Sequence, residues 1–423
     1  MRSKKICILT QPLWHNYGCL LQAYALQKCL KAMNYEVVTD QYPRRFLSSF
    51  GKVKDKSKRM IAHYVLGRKT VNPNPFYPTE KSWEKICSNT SRFVKERIDT
   101  VDFFNGNQFP SKEMINRFDT FVIGSDQVWR DSYSRVESYF GDFLETDDKK
   151  IFSYAASFGL SDWQFDIERT EKLRKLVKKF RSVSVREKDA VELCRDNLNI
   201  EAKWVLDPTM LLSKEDYISL FKDKFPEKSD GNLMTYIFDS SEEKDYLIKL
   251  VEAERKLNAF TVMAHENEEF PAVEKWLKGF YDAKFVLTDS FHGMVFSIIF
   301  EKPFLVILNK KRGSSRFLSL LSALGLEDRL IEQVEDFDTQ LLKKDIDYEK
   351  IRKKLFVLVD KSKAFLIDSF CSSLSFDSLF SSSFSMSLSI DAESTRANEQ
   401  SPYFCSNVLM KCESRMPSNI RTL

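Results

Sequence analysis

The sequence lacks the cysteine pairs and the long apolar runs that would place it in a secreted or membrane-spanning class. Its eight cysteines include no Cys-x-x-Cys pair, so we expect free thiols in a reducing cytosol. No stretch approaches the roughly 18 to 20 apolar residues that span a bilayer, because the run from Val295 to Leu308 is broken by Glu301, Lys302 and Pro303. The basic amino terminus does not lead into the apolar region of a signal peptide. These absences predict a cytoplasmic protein that does not cross the membrane.

Common cofactor, metal and nucleic-acid motifs are also missing. The segment after the first predicted strand contains neither G-x-x-x-x-G-K-[ST] nor G-x-G-x-x-G, which argues against a Walker or dinucleotide site. The four histidines, at positions 15, 63, 265 and 292, have no neighbours at ligand spacing, so neither a metal nor a cofactor is expected. Zinc-finger spacing, basic-aromatic RNA-binding signatures and helix-turn-helix signals are absent as well, so nucleic acid is not an expected partner.

Basic residues are concentrated in one segment, although the net charge of the whole chain is only +4. Between Arg44 and Lys69 there are nine Lys and Arg residues and a single acid, Asp55. Such a segment could contact anionic lipid headgroups, a lipid-pyrophosphate carrier or an acidic glycan. It could equally be a solvated insertion without a partner. The sequence is therefore compatible both with peripheral contact at the inner face of the membrane and with no such contact.

Short apolar runs alternate with helical patterns and predict a parallel α/β fold. The chain opens as β-α-β, with strands over 5–10 and 35–41 and a helix between them, and the same rhythm restarts after Asp207. We predict two doubly wound, Rossmann-like domains that face a cleft. They cover residues 1–206, with a basic insertion at about 44–110, and residues 207–370. Ligands should lie in the cleft, outside the carboxyl ends of the strands.

The carboxyl-terminal segment, residues 371–423, differs in composition from the rest of the chain. Eleven serines occur between Ser369 and Ser389, and no Lys or Arg occurs from Ala364 to Thr395. We therefore expect no packed core in this segment and predict that it is disordered.

The strongest local signal for a site is the segment from Thr288 to Gly293, Thr-Asp-Ser-Phe-His-Gly. It follows the apolar strand 285–287 and precedes an apolar helix, which makes Ser290 a candidate N-cap. The free amides of the first helical turn would form an anion site suited to phosphate, at which His292 would project. A lone histidine is more often structural, but its position at the carboxyl end of a strand also favours catalysis.

Three further segments carry side chains suited to anions or sugars. Arg186 ends a predicted strand and could hold a carboxylate or phosphate by a bidentate fork, or it could simply pair with Glu187. The segment 124–129 (Gly-Ser-Asp-Gln-Val-Trp) offers hydroxyl-recognising groups beside an aromatic, or a capped helix with a buried Trp. The segment 309–316 (Asn-Lys-Lys-Arg-Gly-Ser-Ser-Arg) could converge on a phosphate, or it could be a solvated basic loop.

Six blocks, in this order, resemble the polysaccharide pyruvyl transferase family, and together they are far more specific than any one of them. The blocks are Asn16–Gln27, Gly124–Trp129, Ser153–Gly159, Val185–Glu187, Leu206–Thr209 and Thr288–Gly293. The resemblance covers roughly Lys5 to Leu366 and implies a two-domain arrangement similar to glycosyltransferase B. It also implies that phosphoenolpyruvate, as co-substrate, gives its pyruvate to two hydroxyls of a surface-polysaccharide sugar as a ketal, with release of phosphate.

The resemblance also implies roles for single residues. His292 would be the general acid or the phosphate partner, and Asp126 would be a candidate base. The donor would be held by Arg186, Ser290, Gly293 and a later cation, with Arg312 preferred over Lys310 and Arg316. The acceptor, a glycan or lipid-linked oligosaccharide, would be held by Asn16, Tyr17, Gly18 and Ser125.

Two other functions remain compatible with the same architecture. A glycosyltransferase would use a nucleotide sugar as donor, because fold alone does not fix donor chemistry. A non-catalytic glycan-binding protein would bind the acceptor and release no phosphate.

Overall fold

A computed structural model describes residues 4–42, 44, 46–67, 71–75, 77–104, 109–131, 136–145, 149–264, 268–308 and 313–371. Twelve strands are described: β1 (Lys5–Leu9), β2 (Glu36–Asp40), β3 (Thr100–Val101), β4 (Thr120–Ile123), β5 (Lys150–Ser153), β6 (Ser184–Val185), β7 (Lys203–Trp204), β8 (Leu233–Tyr236), β9 (Ala259–Phe260), β10 (Phe285–Thr288), β11 (Phe304–Ile307) and β12 (Leu330–Ile331).

Thirteen α-helices connect or cover these strands in the described part of the chain. They are α1 (Tyr17–Ala32), α2 (Ser49–Met60), α3 (Glu80–Ile86), α4 (Ser88–Arg97), α5 (Lys112–Asn116), α6 (Ile167–Val177), α7 (Asp189–Leu193), α8 (Lys214–Phe221), α9 (Glu242–Arg255), α10 (Val273–Asp282), α11 (Phe291–Ile299), α12 (Ser315–Leu324) and α13 (Tyr348–Cys371). Short 3₁₀ segments occur at Val136–Phe140, Pro208–Leu211, Glu327–Arg329, Val334–Asp336 and Thr339–Leu342, and π turns at Ile61–Val65 and Cys194–Leu198.

The first sheet has the strand order β3-β2-β1-β4-β5, with every pair parallel. The parallel pair β6-β7 continues it beside β5, through bridges of Ile151 with Phe180 and of Ala156 with Val185. This is the Rossmann order, in which the chain reverses its direction of progress between β1 and β4. Polar groups that follow β1 and β4 therefore meet at one crevice.

The second sheet has the order β12-β11-β10-β8-β9, again with every pair parallel. Its strands β10 and β11 are buried along their whole length, because helices cover both faces of a parallel sheet. Here the order reverses between β8 and β10, and the segment that carries His292 follows β10 directly. The predicted fold class, two doubly wound parallel-sheet domains facing one another, is confirmed.

Helix α1 is buried on nearly all sides because both domains pack against it. Leu26 and Leu30 contact the first sheet, whereas Tyr17 and Leu20 belong to the core of the second domain. The helix therefore carries few charges. Its buried Gln22 donates its side-chain amide to the Thr10 hydroxyl and to the Cys19 carbonyl.

The last helix, α13, returns to the first domain. Phe365 and Phe370 lie in the core beneath β1 and β4, and the Phe370 ring stacks on Tyr35 with 4.4 Å between ring centroids. The Ser362 hydroxyl accepts the backbone N–H of Leu206. The boundary predicted at residue 207 falls between the two sheets, but the end of the predicted second domain packs with the first. The described residues end at 371, so the rest of the predicted disordered tail lies outside them.

The insertion after β2 contributes helices α2 to α5, which the sequence pattern did not resolve. Within the described ranges, no helix is both long and apolar enough to cross a membrane.

Candidate active site

Gly18 and Asp207 approach His292, the second residue of α11, from outside its own segment. The Ser290 hydroxyl accepts the backbone N–H of Gly293 at 3.3 Å, so the predicted N-cap is confirmed. The imidazole side chain is 12% exposed, and its Nε2 lies 3.6 Å from the Asp207 carboxylate Oδ2. That distance is slightly beyond a direct hydrogen bond, and Nε2 has no other hydrogen-bond partner in the described part of the chain. A small part of the ring is thus exposed, and Nε2, itself buried, faces an acid.

The other side of the His292 ring rests on Gly18, the second residue of α1. A Cβ placed on Gly18 would come within 1.9 Å of His292 Nδ1, which no real contact allows. Asn16 caps this helix by accepting the backbone N–H of Cys19 at 3.1 Å. The N-termini of α1 and α11 therefore meet at His292. Each contributes unpaired amides and a partial positive charge.

Arg186 lies beneath His292 and is 3% exposed. Its Nη1 donates to Asp207 Oδ2 at 3.1 Å and its Nε donates to Glu187 Oε1 at 3.2 Å. The third nitrogen, Nη2, is 3.8 Å from Asp126 Oδ1 and has no hydrogen-bond partner among the described residues. Most of the predicted fork is thus directed at protein carboxylates. The predicted contact with a donor anion stays a prediction, and only Nη2 is left for it.

The charges of this cluster are strongly coupled. Burial alone would raise the pKa of the Asp207 carboxyl, but His292, Arg186 and Thr209 together hold that pKa well below its usual range. Burial alone would lower the pKa of the Arg186 guanidinium, but Glu187, Asp207 and Asp126 raise it. Asp207 is therefore a carboxylate and Arg186 a cation at neutral pH. Burial raises the pKa of Glu187, although Arg186 and Ser157 partly offset this effect.

Asp126 and Ser125 follow β4 and reach the same cluster. The Ser125 hydroxyl donates to Asp207 Oδ2 at 3.2 Å. Because Ser125 is fully buried, it positions Asp207 and is not exposed in the cleft between the two domains. Asp126 has a φ of +74°, a conformation that is costly for a residue with a side chain. Its side chain remains 12% exposed.

The residues predicted to hold the acceptor are placed differently from one another. Asn16 is exposed and combines capping with access to solvent. Tyr17 is 2% exposed, donates its hydroxyl to the Pro271 carbonyl at 2.8 Å, and stacks on Trp276. Tyr17 therefore joins the two domains and does not face the cleft as expected. Gly18 provides the space for His292.

The donor-side residues are placed only in part. Gly293 is required by packing, because a Cβ there would lie 2.3 Å from the Thr288 hydroxyl. Arg312 and Lys310 lie outside the described residues. The chain resumes at Gly313, with a φ of +86° and an α-carbon against the Gly159 carbonyl. The Arg316 guanidinium carbon is 5.9 Å from the centre of the Phe291 ring.

The sequence assigns no role to two acids that the structure shows at the centre of hydrogen-bond networks. Asp207 accepts hydrogen bonds from Ser125, Arg186 and the backbone and hydroxyl of Thr209, and so connects most of the site. Asp289 pairs with Lys244 at 2.8 Å and accepts the backbone N–H of Phe238, which ties β8 to β10 at the point of reversal.

In the sequence, each of these two acids directly follows a short apolar strand, and that pattern could have pointed to them. Their pairing with distant partners was not visible from sequence.

Polar groups from the carboxyl ends of strands in two Rossmann-like domains gather near one histidine and define a two-domain α/β protein with a candidate site between its domains. The chain belongs to the polysaccharide pyruvyl transferase family, whose family model matches residues 16–311. This confirms the predicted resemblance. The protein is accordingly a transferase that acts on polysaccharides.

Comparison with curated proteins returned no match. Among solved structures, the chain is similar to the S. aureus MnaA–UDP co-structure, with 14% identity, a TM-score of 0.41, and coverage of 86% of this chain and 95% of that chain. It is also similar to UDP-GlcNAc 2-epimerase from Neisseria meningitidis bound to UDP-GlcNAc, with 10% identity, a TM-score of 0.43, and coverage of 86% and 99%. Likenesses at this level add nothing to the assignment of function.

Proposed function

We propose that the protein transfers pyruvate from phosphoenolpyruvate to two hydroxyls of a sugar in a surface polysaccharide or its lipid-linked precursor, forming a ketal and releasing phosphate. The observation that carries this proposal is the position of His292 between two helix N-termini and beside the buried carboxylate of Asp207. A proton-transfer group and amides suited to an anion are thereby adjacent, as this chemistry requires.

The proposed reaction balances with two hydroxyls and no further reactant. One acceptor oxygen bonds to C2 of phosphoenolpyruvate while C3 gains a proton and becomes a methyl group. The second oxygen then bonds to C2 as the C2–O bond to phosphate breaks. One hydroxyl proton is matched by the proton gained at C3, and the other leaves with the phosphate.

In this scheme His292 donates the proton to C3 or to the departing phosphate. The Asp207 carboxylate lies 3.6 Å from His292 Nε2 and orients the ring. Asp126, with a partly exposed carboxylate beside Arg186 Nη2, is the candidate base that accepts a proton from the attacking hydroxyl.

The charge balance requires further cations at the donor. Asp126, Glu187 and Asp207 surround the single guanidinium of Arg186, so this cluster alone does not attract a trianionic donor. The helix N-termini supply part of the compensation. We propose that the basic segment 309–316, with Arg312 as the preferred residue, supplies the rest. Gly313 and Arg316 approach the site beside Gly159 and Phe291, which supports that placement.

The decisive experiment incubates the purified protein with phosphoenolpyruvate and a panel of glycans from the native host, and assays released phosphate together with pyruvyl ketal. A parallel series replaces phosphoenolpyruvate with nucleotide sugars. We expect phosphate and ketal in equal amounts from the first series only, and a loss of about 10²- to 10⁴-fold in His292→Ala.

Turnover only with a nucleotide sugar would establish a glycosyltransferase instead. Glycan binding without turnover in either series would establish a binding protein.

A further inference from the structure

Helix α2 and the π turn after it present an apolar face to solvent. None of the residues of α2 is buried. Large apolar side chains are exposed along the whole segment, at Leu47, Phe50, Val53, Met60, Ile61, Tyr64, Val65 and Leu66. Phe50 is 77% and Val65 74% exposed. Phe50, Val53, Met60 and Tyr64 recur at spacings that place them on one side of a helix. These four side chains share one face of the helix, which is interrupted at Ser57 between Val53 and Met60.

The polar side of the same segment faces the chain that follows it, at Val71 and Tyr77. Arg59 Nε donates to Asp55 Oδ2 at 2.7 Å, and the Tyr77 hydroxyl donates to the same oxygen at 2.5 Å. His63 Nδ1 lies 2.7 Å from the Val71 carbonyl oxygen. A surface helix ordinarily buries its apolar stripe and exposes its charges. Here the orientation is reversed, so the apolar stripe is available to another surface.

The charges next to the stripe identify the chemistry of that surface. Lys54, Lys56 and Lys58 are exposed on α2, and Asp55 is the only acid of the segment. An apolar face flanked by lysines is the combination that lies in the headgroup region of an anionic bilayer. A second copy of this chain would bring a second set of lysines to the same contact and repel the first.

We propose that residues 47–66 dock the protein onto an anionic lipid bilayer, with Phe50, Val53, Met60 and Tyr64 inserted at the level of the headgroups. The docking does not depend on the identity of the reaction. It bears on the proposed function through position, because Arg44, just before α2, lies over the rings of Trp14 and Trp83 at 5.1 and 4.0 Å. Trp14 lies two residues before Asn16, which is one of the residues expected to hold the acceptor. The docked helix would therefore bring these residues toward lipid-linked glycans.

The test measures co-sedimentation of the full chain with vesicles of pure phosphatidylcholine and with vesicles containing about 30% phosphatidylglycerol. We expect binding to the anionic vesicles, weaker binding as salt rises from about 0.1 to 0.5 M, and little binding to the neutral ones. The triple variant K54Q/K56Q/K58Q should bind roughly 100-fold more weakly, since each lysine near such a surface is worth about fivefold. F50S/V53S/Y64S should lose binding to a similar or greater extent.

Matched controls come from α6 and α9 of the same chain. K172Q/K175Q/K178Q removes three exposed lysines, and I167S/Y246S removes two large exposed apolar side chains, of which Ile167 is 85% exposed. Both control variants should bind like the wild type. All variants should keep the wild-type thermal transition, because the altered side chains are exposed.

The proposal is overturned if the wild type does not bind anionic vesicles, or if the α2 variants bind as well as the controls. It is also overturned if the wild type forms dimers in sedimentation velocity that F50S/V53S/Y64S abolishes, because a second copy then covers the stripe. Loss of vesicle binding with unchanged ketal formation on a water-soluble glycan separates failure of docking from failure of the proposed reaction.

Discussion

The imidazole of His292 and the α-carbon of Gly18 are in direct contact, and a methyl group on residue 18 would overlap His292 Nδ1 at 1.9 Å. Each residue is the second of its helix, and each helix belongs to a different domain. The contact therefore fixes the position of the histidine relative to the first domain. It also explains why a glycine occupies a helical position where alanine would ordinarily be more stable.

The first prediction is that Gly18→Ala disrupts this contact. The added methyl must displace His292 or separate the helices, so we expect a loss of about 1 to 3 kcal/mol in the free energy of unfolding and a large loss of turnover. In the His292→Ala background the same change should be neutral or stabilising by up to about 1 kcal/mol, because only the helix propensity remains. Denaturant titrations of the four proteins measure the coupling. Equal effects of Gly18→Ala in both backgrounds would contradict the contact.

The second prediction concerns Arg186, which pairs with Asp207 and Glu187 and whose Nη2 we propose to contact the donor. Arg186→Lys keeps the charge but cannot reach both Asp207 and Glu187, so both stability and donor affinity should fall. We expect donor affinity to fall by roughly 10- to 150-fold. In Arg186→Ala, where buried carboxylates lose their partner, the free energy of unfolding should fall by about 3 to 5 kcal/mol. Isothermal titration with phosphoenolpyruvate and denaturant unfolding measure the two effects separately.

The control for Arg186 is Arg195→Lys, at an exposed pair with Asp196. It should change neither quantity, because exposed ion pairs contribute little. Wild-type stability with reduced donor affinity in Arg186→Lys would assign the residue to the donor alone. Wild-type donor affinity would remove it from the donor site.

The third prediction tests the return of α13 to the first domain. Phe370→Ala should lower the free energy of unfolding by about 3 to 5 kcal/mol, because the ring is 4% exposed and packs on Tyr35 and Phe152. Phe356→Ala, on the same helix but 56% exposed, should cost less than about 1 kcal/mol. Denaturant unfolding of both variants checks this, and equal costs would show that the end of α13 does not pack as described.

The fourth prediction is a pH dependence that originates at Asp40. Burial raises the pKa of Asp40 to about 7, although backbone N–H groups of Phe103 and Tyr42 partly offset this effect. The unfolded chain has a pKa near 3.9 at this residue, so the folded state binds the proton more tightly between about pH 4 and pH 7. Stability contributed by Asp40 is therefore present at the acid end and is lost as pH rises through about 7.

Thermal unfolding of the wild type and Asp40→Asn between pH 5 and pH 8 measures this contribution. The wild type should lose stability relative to the variant as pH rises, by on the order of 2 to 4 kcal/mol. A constant difference between the two proteins across that range would show that Asp40 does not titrate there.

The sequence by itself determined most of the regular elements of the two sheets. The strand predicted over 35–41 is β2, and the helix predicted between the first two strands is α1. Apolar periodicity reports such elements because it depends on neighbours within a few positions. The Ser290 cap was predictable for the same reason, since its hydroxyl accepts an amide only three residues away. Local composition likewise marked the basic segment that contains α2.

Only the tertiary structure decided how these pieces are used. Arg186 is directed at a protein carboxylate because Asp207 lies within hydrogen-bond distance. Tyr17 is buried because its hydroxyl donates to the Pro271 carbonyl in the other domain. The polar side of α2 likewise contacts Tyr77, whose hydroxyl donates to Asp55. These partners are distant in sequence. No local pattern records them, because long-range packing brings them together only when both domains and the returning α13 have assembled.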